Sequence, residues 1–181
     1  MRSESSMPTR IAINGFGRIG RAAFKIAFNN PDIEIVAIND LTNAKFLAHL
    51  LKYDTIYGIY KNEVGVEENG ELVHVEGSAS QQKHLEKLES EKTNLVVNDK
   101  KVLVLSQKDP SLLPWKNLNI DVVLECTGRF ADAESAKVHI NAGAKKVIVS
   151  APIKGGAHTT FILGVNAQNY KGEEVISNAS C

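Results

Sequence analysis

Residues 10–20 read RIAINGFGRIG and decide the fold, because they join a short apolar strand to a glycine-rich turn. Gly15, Gly17 and Gly20 form a GxGxxG pattern, in which the first glycine permits a tight turn and the second lets the backbone approach a pyrophosphate. The third glycine lets the following helix pack closely on the strand. That helix is predicted to end before Pro31, and its apolar face is predicted to consist of Ile19, Ala22, Ala23 and Ile26.

Further alternation of strands and helices predicts a doubly wound parallel sheet of the α/β class. The apolar run 33–38 ends in Asn39 and Asp40 and completes a βαβ unit with the first strand and helix. A second unit is predicted farther along the chain, and its parts are a strand at 121–126, a helix that Asp132 starts and Gly143 stops, and a strand at 146–150.

The middle of the chain predicts antiparallel hairpins instead. Apolar and polar residues alternate on both sides of Asn69 and Gly70, and again on both sides of Asp99. The polar and charged stretch at about 76–93 is interpreted as an insertion with a solvated face.

A Pro and Gly break follows Ser150, and two more strands are predicted at 160–165 and 174–178. We therefore predict a cofactor-binding domain over 1–150. Residues 151–181 are predicted to begin a second, incomplete domain, because about 30 residues cannot bury a core of their own.

The N-terminus of the first helix is the predicted anion site. Backbone N–H groups of the turn and the positive end of the helix dipole favour a phosphate there. The strand before the turn, the helix after it and an acidic residue that closes the next strand favour a dinucleotide over a purely structural glycine turn. The residues predicted to hold the cofactor at this turn are Asn14, Gly15, Phe16, Gly17, Arg18 and Ile19.

Asp40 can accept hydrogen bonds from both hydroxyls of an adenosine ribose, and its charge would repel a phosphate on that ribose. At ~4 Å and an effective dielectric constant near 20 the repulsion is about 4 kcal/mol before screening, so NAD is expected over NADP. Alternatively, Asp40 caps the next helix, with Thr42 as a competing cap. Ligands gather at the carboxyl ends of parallel strands, which adds Thr127, Gly128 and Ser150 as candidates, although such residues are also ordinary turn formers.

The amino-acid composition limits the classes of partner that are expected. The 21 Lys and Arg residues balance the 21 Asp and Glu residues, which disfavours nucleic acid or an acidic membrane surface as a partner. Neither a membrane span of roughly 20 apolar residues nor a secretion signal is recognisable, so a cytoplasmic protein is expected. Cys126 and Cys181 have no neighbouring ligands at metal spacing, so no metal site is predicted. Cys126 is expected to pack as a small buried hydrophobe, and the five histidines are expected to be surface or packing residues.

Seven segments carry a family resemblance, and in chain order they are INGFGRIGR, AIND, LKYD, QKDP, ECTGRF, AGAKKVIVSAP and SNASC. Together they make the chain similar to phosphorylating glyceraldehyde-3-phosphate dehydrogenases, apart from the 76–93 region. The resemblance implies a Rossmann-type NAD-binding domain followed by a catalytic domain, and assembly as a homotetramer. It also implies NAD-dependent conversion of glyceraldehyde 3-phosphate and inorganic phosphate to 1,3-bisphosphoglycerate, a step of glycolysis.

The resemblance assigns roles to single residues as well. Cys181 matches the catalytic nucleophile, and Ser180 lies beside it in the substrate site. The cofactor contacts that the resemblance implies are Arg18 and Ile19 at the pyrophosphate, Asp40 at the ribose, Lys108 near the adenine, and Thr127, Gly128 and Ser150 at the strand ends.

The family pattern continues past the nucleophile, whereas this chain has Cys181 as its last residue. We therefore expect the 181-residue chain to be inactive by itself. An erythrose-4-phosphate dehydrogenase and a non-catalytic NAD-binding or assembly module are the alternative interpretations.

Overall fold

The computed structural model describes residues 7–75, 93–130, 132–153 and 160–178. The strands are β1 (Thr9–Asn14), β2 (Ile33–Asn39), β3 (Tyr53–Asp54), β4 (Gly58–Ile59), β5 (Val64–Glu68), β6 (Glu71–His74), β7 (Thr93–Val97), β8 (Lys100–Leu105), β9 (Val122–Glu125), β10 (Lys146–Val149) and β11 (Val175–Ser177). The helices are α1 (Arg18–Ala27), α2 (Ala44–Lys52), α3 (Ala133–Ala136) and α4 (Val138–Asn141). The predicted insertion lies outside the described residues except for Thr93, which opens β7.

The chain divides into two compact units, one formed within residues 1–36 and 109–181 and the other within residues 37–108. In the first unit, four strands form a parallel sheet in the order β11-β10-β9-β1. Its register pairs Glu125 with Asn14 on one side and with Val149 on the other. The carboxyl ends of β1, β9 and β10 therefore lie side by side, as the prediction of a doubly wound sheet requires.

Helix α1 begins at Arg18, directly after the glycine turn, and buries a different face from the predicted one. Phe24 is fully buried, and its ring centroid lies 5.5 Å from that of Phe16 and 5.4 Å from that of Phe28. Ile19 and Ile26, which were predicted to lie on one apolar face of the helix, are instead 57% and 82% exposed. The helix carries two apolar stripes, and the aromatic stripe buries the larger area.

The predicted helix after Asp132 is present as two short helices, α3 and α4, separated at Lys137. Asp132 caps α3, because its Oδ1 accepts a hydrogen bond from the Ser135 backbone N–H at 2.8 Å. Gly143 follows α4 with φ = +106°, a conformation that suits glycine at the end of a helix. The predicted start and stop are thus confirmed.

Of the two strands predicted after Ser150, the structure contains one. β11 forms and pairs in parallel with β10. The segment 160–165 contributes only an isolated bridge from Thr160 to Ser177, so the strand predicted there is wrong. The Asn166 side chain accepts a hydrogen bond from the Ile162 N–H at 2.7 Å, and Gly164 has φ = +81°, which together turn the chain.

In the second unit, the end of β2 pairs in parallel with β8, and β8, β7, β5 and β6 continue as an antiparallel sheet. Both predicted hairpins are confirmed. Their turns have left-handed residues at Asn69 and Gly70 and at Asn98 and Asp99. Helix α2 packs on β5 and β7 and buries Leu47, Ala48 and Leu51. β3 and β4 form a separate two-stranded ribbon.

Candidate cofactor site

Three strand ends meet at one edge of the first unit's sheet. The backbone N–H of Cys126 donates to the carbonyl oxygen of Asn14 at 2.7 Å, and the N–H of Ser150 donates to the carbonyl oxygen of Glu125 at 3.0 Å. The segments that follow β1, β9 and β10 therefore start next to one another. This edge is the place at which parallel sheets bind ligands.

Gly15 lets the turn after β1 touch the turn after β9. A Cβ atom on Gly15 would lie 2.7 Å from the Thr127 nitrogen and 2.8 Å from the Cys126 carbonyl carbon, and the residue has φ = +90°. Any side chain would push the two turns apart. Gly20 is equally constrained, because its Cβ would lie 2.2 Å from the carbonyl oxygen of Gly15. These two glycines therefore serve the packing of strand, turn and helix.

Gly17 differs from Gly15 and Gly20 because, apart from its own sequence neighbours, nothing in the described chain lies within 4 Å of the Cβ it would carry. It is the N-cap of α1, makes no side-chain cap bond, and is followed by a first turn without acidic residues. The N–H groups of that first turn have no carbonyl partner within the helix. The geometry fits an anion that approaches the backbone closely, such as a pyrophosphate.

Arg21 holds this turn from inside the helix. Its Nη1 donates to the carbonyl oxygen of Phe16 at 3.0 Å. A carbonyl oxygen and the N–H of the next residue point in opposite directions across a trans peptide. The bond thus fixes the direction of the Gly17 N–H away from the Arg21 side chain.

A largely apolar cavity of about 450 Å³ lies within the same unit, and Ile19 and Ala23 of α1 form part of its wall. Cys126 and Ser150 at the strand ends and Leu163 beyond them also line it. Burial raises the pKa of the Cys126 thiol to about 11, more than its hydrogen bond with Ser150 lowers it. The thiol is therefore protonated near neutral pH, and Cys126, which was predicted to be a small buried hydrophobe, is half-buried.

Behind the strand ends lies a buried polar cluster. Glu125, Asn14 and His139 are each at most 2% exposed, and Trp115 is fully buried. Asn14 Nδ2 donates to Glu125 Oε2 at 2.6 Å, and His139 Nε2 lies 3.0 Å from the same oxygen. The other oxygen, Oε1, accepts from the Thr127 backbone N–H at 2.8 Å and from the Thr127 hydroxyl.

In the second unit, the ends of β2 and β8 are joined by a pair of bonds between Asn39 and Gln107, of 2.8 and 3.0 Å. Asp40 follows and is half-buried, and its Oδ1 accepts a hydrogen bond from the Thr42 N–H at 2.9 Å. Lys108 is exposed. Neither Asp40 nor Thr42 caps α2, because Asn43 is the N-cap and accepts from the Lys45 N–H at 2.8 Å. The alternative interpretation of Asp40 as the helix cap is therefore wrong.

Comparison with known proteins decides the family. A family model described as "Glyceraldehyde 3-phosphate dehydrogenase, NAD binding domain" matches residues 9–89 and 76–133. The chain belongs to this family. The NAD-binding domain of the family identifies NAD as the cofactor and agrees with the predicted Rossmann-type α/β fold.

Whole proteins named glyceraldehyde-3-phosphate dehydrogenase match nearly the full chain. The one from Geobacillus stearothermophilus is 46% identical over 177 residues, and the one from Thermotoga maritima is 45% identical over 175 residues. A cytosolic form from Trypanosoma brucei brucei is 44% identical over 175 residues. These alignments cover 95–97% of this chain but only 45% of each relative, so the chain spans about half the length of the relatives it matches.

Within this glyceraldehyde 3-phosphate dehydrogenase fold, the predicted cofactor residues divide by unit. The first unit brings together the glycine turn of residues 14–19 with Thr127, Gly128 and Ser150. Asn14 and Phe16 are buried and turn their side chains into the protein rather than towards the strand-end edge. Asp40 and Lys108 belong to the second unit. Ser180 and Cys181 lie outside the described residues.

Glu125 and Arg21 are functional candidates that sequence reasoning missed. Glu125 closes an apolar run and resembles an ordinary strand residue, while its partners Asn14 and His139 lie 111 and 14 residues away. One signal was present, since an acidic residue in an otherwise apolar parallel strand must be paired. Among the described residues, no group of three or more His, Cys, Asp and Glu side chains is placed to hold a metal ion. The described helices also include none long and apolar enough to cross a bilayer.

Proposed function

We propose that this chain provides the cofactor domain and the nucleophile of an NAD-dependent, phosphorylating glyceraldehyde-3-phosphate dehydrogenase. The observation that carries the proposal is Gly17, a helix N-cap whose missing Cβ would meet no described residue beyond its own sequence neighbours, at the edge where three parallel strands end. The pyrophosphate of NAD binds to the N–H groups of residues 17–19. The nicotinamide end enters the cavity lined by Ile19, Cys126 and Ser150, whose size is typical of ligand pockets.

Each predicted cofactor residue has a binding role in the proposal. Arg18 and Ile19 contribute the first N–H groups of α1, and Thr127, Gly128 and Ser150 bound the site at the ends of β9 and β10. Asp40 accepts from the adenosine ribose hydroxyls, and Lys108 lies near the adenine. Bound NAD supplies the acceptor for a hydride ion.

The Cys181 thiolate attacks the aldehyde carbon of glyceraldehyde 3-phosphate and forms a hemithioacetal. Loss of a hydride ion from that carbon and of the hydroxyl proton leaves a thioester on the sulfur. Inorganic phosphate then attacks the thioester carbon, releases 1,3-bisphosphoglycerate and returns the thiolate. Ser180, next to the nucleophile, contributes to the substrate site.

Calorimetric titration of the 181-residue chain with NAD and NADP tests the cofactor part of the proposal. We expect saturable binding of one NAD per chain and weaker binding of NADP. Equal affinity for the two dinucleotides would contradict the role of Asp40. Failure to bind either would contradict the placement of the cofactor at the glycine turn.

Formation of NADH from glyceraldehyde 3-phosphate or erythrose 4-phosphate, with phosphate present, tests the substrate. We expect no turnover by the 181 residues alone, and a preference for glyceraldehyde 3-phosphate in a protein that contains this domain together with a catalytic domain. A preference for erythrose 4-phosphate would favour the alternative dehydrogenase. An absence of turnover in both proteins would favour a non-catalytic NAD-binding module.

We further propose that the protein acts in the cytoplasm in glycolysis as a homotetramer. The name of the Trypanosoma relative, which includes the word cytosolic, supports the location. The balanced charge supports small molecules rather than nucleic acid or membrane as partners. Sedimentation equilibrium of a protein that contains this domain together with a catalytic domain tests the assembly, and a mass other than four protomers would contradict it.

A further inference from the structure

Glu125 is a fully buried acid whose carboxylate oxygens are both engaged. On one side it binds Asn14 Nδ2 at 2.6 Å and faces His139 Nε2 at 3.0 Å. On the other side it accepts from the backbone N–H and the hydroxyl of Thr127. Thr127 is exposed at the edge where the cofactor site is proposed. One carboxylate thus connects the protein interior to that edge.

Trp115 determines which way the bonds in this cluster run. An indole N–H can only donate, and Trp115 Nε1 lies 3.0 Å from His139 Nδ1. His139 Nδ1 must therefore accept a hydrogen bond, so a neutral ring carries its proton on Nε2. The Nε2–H group then donates a hydrogen bond to Glu125. Asn14 Nδ2 and His139 Nε2 lie 3.4 Å apart. Both are then donors to the same Glu125 oxygen and do not bond to each other. Trp115 and His139 are both completely buried, which fixes this order in place.

The Thr127 hydroxyl continues the chain into the exposed turn. It donates to Glu125 Oε1 and accepts from the Arg129 backbone N–H at 3.1 Å. Gly128, between the two, has φ = +73°. The shape of the turn at 127–129 therefore depends on a hydroxyl that Glu125 orients.

The same carboxylate also holds the opposite turn. Asn14, which it binds, directly precedes Gly15, and Gly15 packs against the backbone of Cys126 and Thr127. We infer that Glu125 is a positioning residue for cofactor binding, which locks the Thr127 turn against the glycine turn through Asn14, His139 and Trp115. The inference rests on the proposed function, because it assumes that NAD lies at these two turns.

Two matched pairs of substitutions test the inference by calorimetric titration of the 181-residue chain with NAD. Thr127→Val removes the hydroxyl and keeps the shape, and we expect about tenfold weaker binding of NAD, whereas Thr127→Ser keeps the hydroxyl and should bind NAD more tightly than Thr127→Val. Glu125→Gln removes the charge and places an amide N–H against two donors, so at least tenfold weaker binding is expected. Glu134→Gln is the matched control, since that side chain is 86% exposed on α3.

A spectroscopic readout separates positioning from a loss of folding. The Thr127 amide proton donates to a carboxylate, and we expect its resonance far downfield in ¹H–¹⁵N spectra of the parent and shifted upfield in Glu125→Gln but not in Glu134→Gln. If Glu125→Gln does not fold, Glu125→Asp replaces it in both measurements, because it keeps the charge but withdraws the carboxylate from the Thr127 N–H by one methylene group, and weaker NAD binding with an upfield shift of the Thr127 amide is again expected.

Equal NAD affinity of the parent, Thr127→Val and a folded Glu125→Gln would overturn the inference, as would a Thr127→Ser variant that binds as weakly as Thr127→Val. A parent chain that binds no NAD would overturn the proposed function instead. The Thr127 amide resonance would then still decide whether Glu125 holds the turn.

Discussion

The α-carbon of Gly20 faces the carbonyl oxygen of Gly15 so closely that an added methyl group would lie 2.2 Å from that oxygen. Helix α1 and the turn that precedes it are therefore in direct backbone contact. Gly17, three residues earlier, has open space around its α-carbon. Two glycines of one motif thus differ in their surroundings, and the open one, Gly17, is the residue at which we propose that the pyrophosphate binds.

Gly20→Ala should destabilise the protein, because either the helix or the Gly15 peptide must move. We expect the free energy of unfolding to fall by about 1–3 kcal/mol, the usual cost of overpacking. Gly17→Ala should lower it by no more than about 1 kcal/mol, the cost of a poorer helix cap, but should weaken NAD binding at least tenfold by blocking the pyrophosphate. Urea unfolding and calorimetry measure both variants, and unchanged NAD affinity of Gly17→Ala would contradict the proposed site.

Asp40→Asn should relax the preference for NAD over NADP. The substitution removes the negative charge and keeps an oxygen that can accept from the Thr42 N–H. We expect the ratio of NADP to NAD affinity to rise at least tenfold, which corresponds to about 1.4 kcal/mol. This is the part of the ~4 kcal/mol Coulomb repulsion that solvent does not screen. Asp40→Ala should relax it as well, with some loss of affinity for both dinucleotides.

Asp54→Asn is the matched control for this experiment. Asp54 belongs to the same unit, and its Oδ1 accepts from the N–H groups of Ile56 and Tyr57 in a similar turn. The ratio of NADP to NAD affinity of Asp54→Asn should equal that of the parent. A parallel change in both variants would show that overall charge, rather than the position of Asp40, sets the preference.

Cys126 should resist alkylation, because burial raises the pKa of its thiol from 9.0 to about 11. Peptide mapping after iodoacetamide treatment between pH 7 and 9 should find Cys126 nearly unlabelled in the folded protein and fully labelled in urea. Rapid labelling of the folded protein at pH 7 would contradict the protonated, half-buried thiol.

The same shift makes stability depend on alkaline pH. The unfolded chain loses the thiol proton near pH 9 while the folded chain keeps it to about pH 11, so unfolding releases a proton in this window. The free energy of unfolding therefore falls as pH rises from 9 to 11, by at most about 3 kcal/mol. The fall is smaller to the extent that solvent reaches the half-buried thiol. Cys126→Ala should flatten this part of the pH profile and leave the slope below pH 8 unchanged.

Trp115→Phe should destabilise the first unit by more than the loss of side-chain volume alone would. The substitution leaves His139 Nδ1 as a buried acceptor without its donor, which costs about 1–3 kcal/mol. Lys137→Ala breaks an exposed ion pair with Glu134 at 3.0 Å and should cost no more than about 0.5 kcal/mol. Urea unfolding followed by circular dichroism compares the two, and similar costs would contradict a structural role for the indole donor.

The parts of the fold that follow from local chemistry were predictable from the sequence. Turns at Asn69–Gly70 and Asn98–Asp99 need left-handed backbone, and these residue types adopt it readily. Asp132 was predictable as a cap for the same reason, because its partner Ser135 lies three residues away. The glycine turn and α1 also follow from spacing within a dozen residues.

The features that escaped prediction depend on tertiary contacts. Periodicity shows that α1 has apolar stripes but does not show that Phe24, rather than Ile26, finds aromatic neighbours. The Asn166 side chain turns the apolar segment after Thr160 away from a strand. The Asn14–Glu125 bond joins residues 111 apart, so nothing near either residue in the sequence reveals it.

Trp115 is the single tryptophan of the chain, and it lies fully buried in the first unit. Its fluorescence emission therefore reports on the hydration of one known place, whereas the second unit contributes tyrosines but no indole. Loss of the blue-shifted emission marks the opening of the first unit alone. If ellipticity persists at denaturant concentrations at which the Trp115 emission has already shifted, some structure unfolds separately from the first unit. One native fluorophore can therefore reveal whether the two units unfold together.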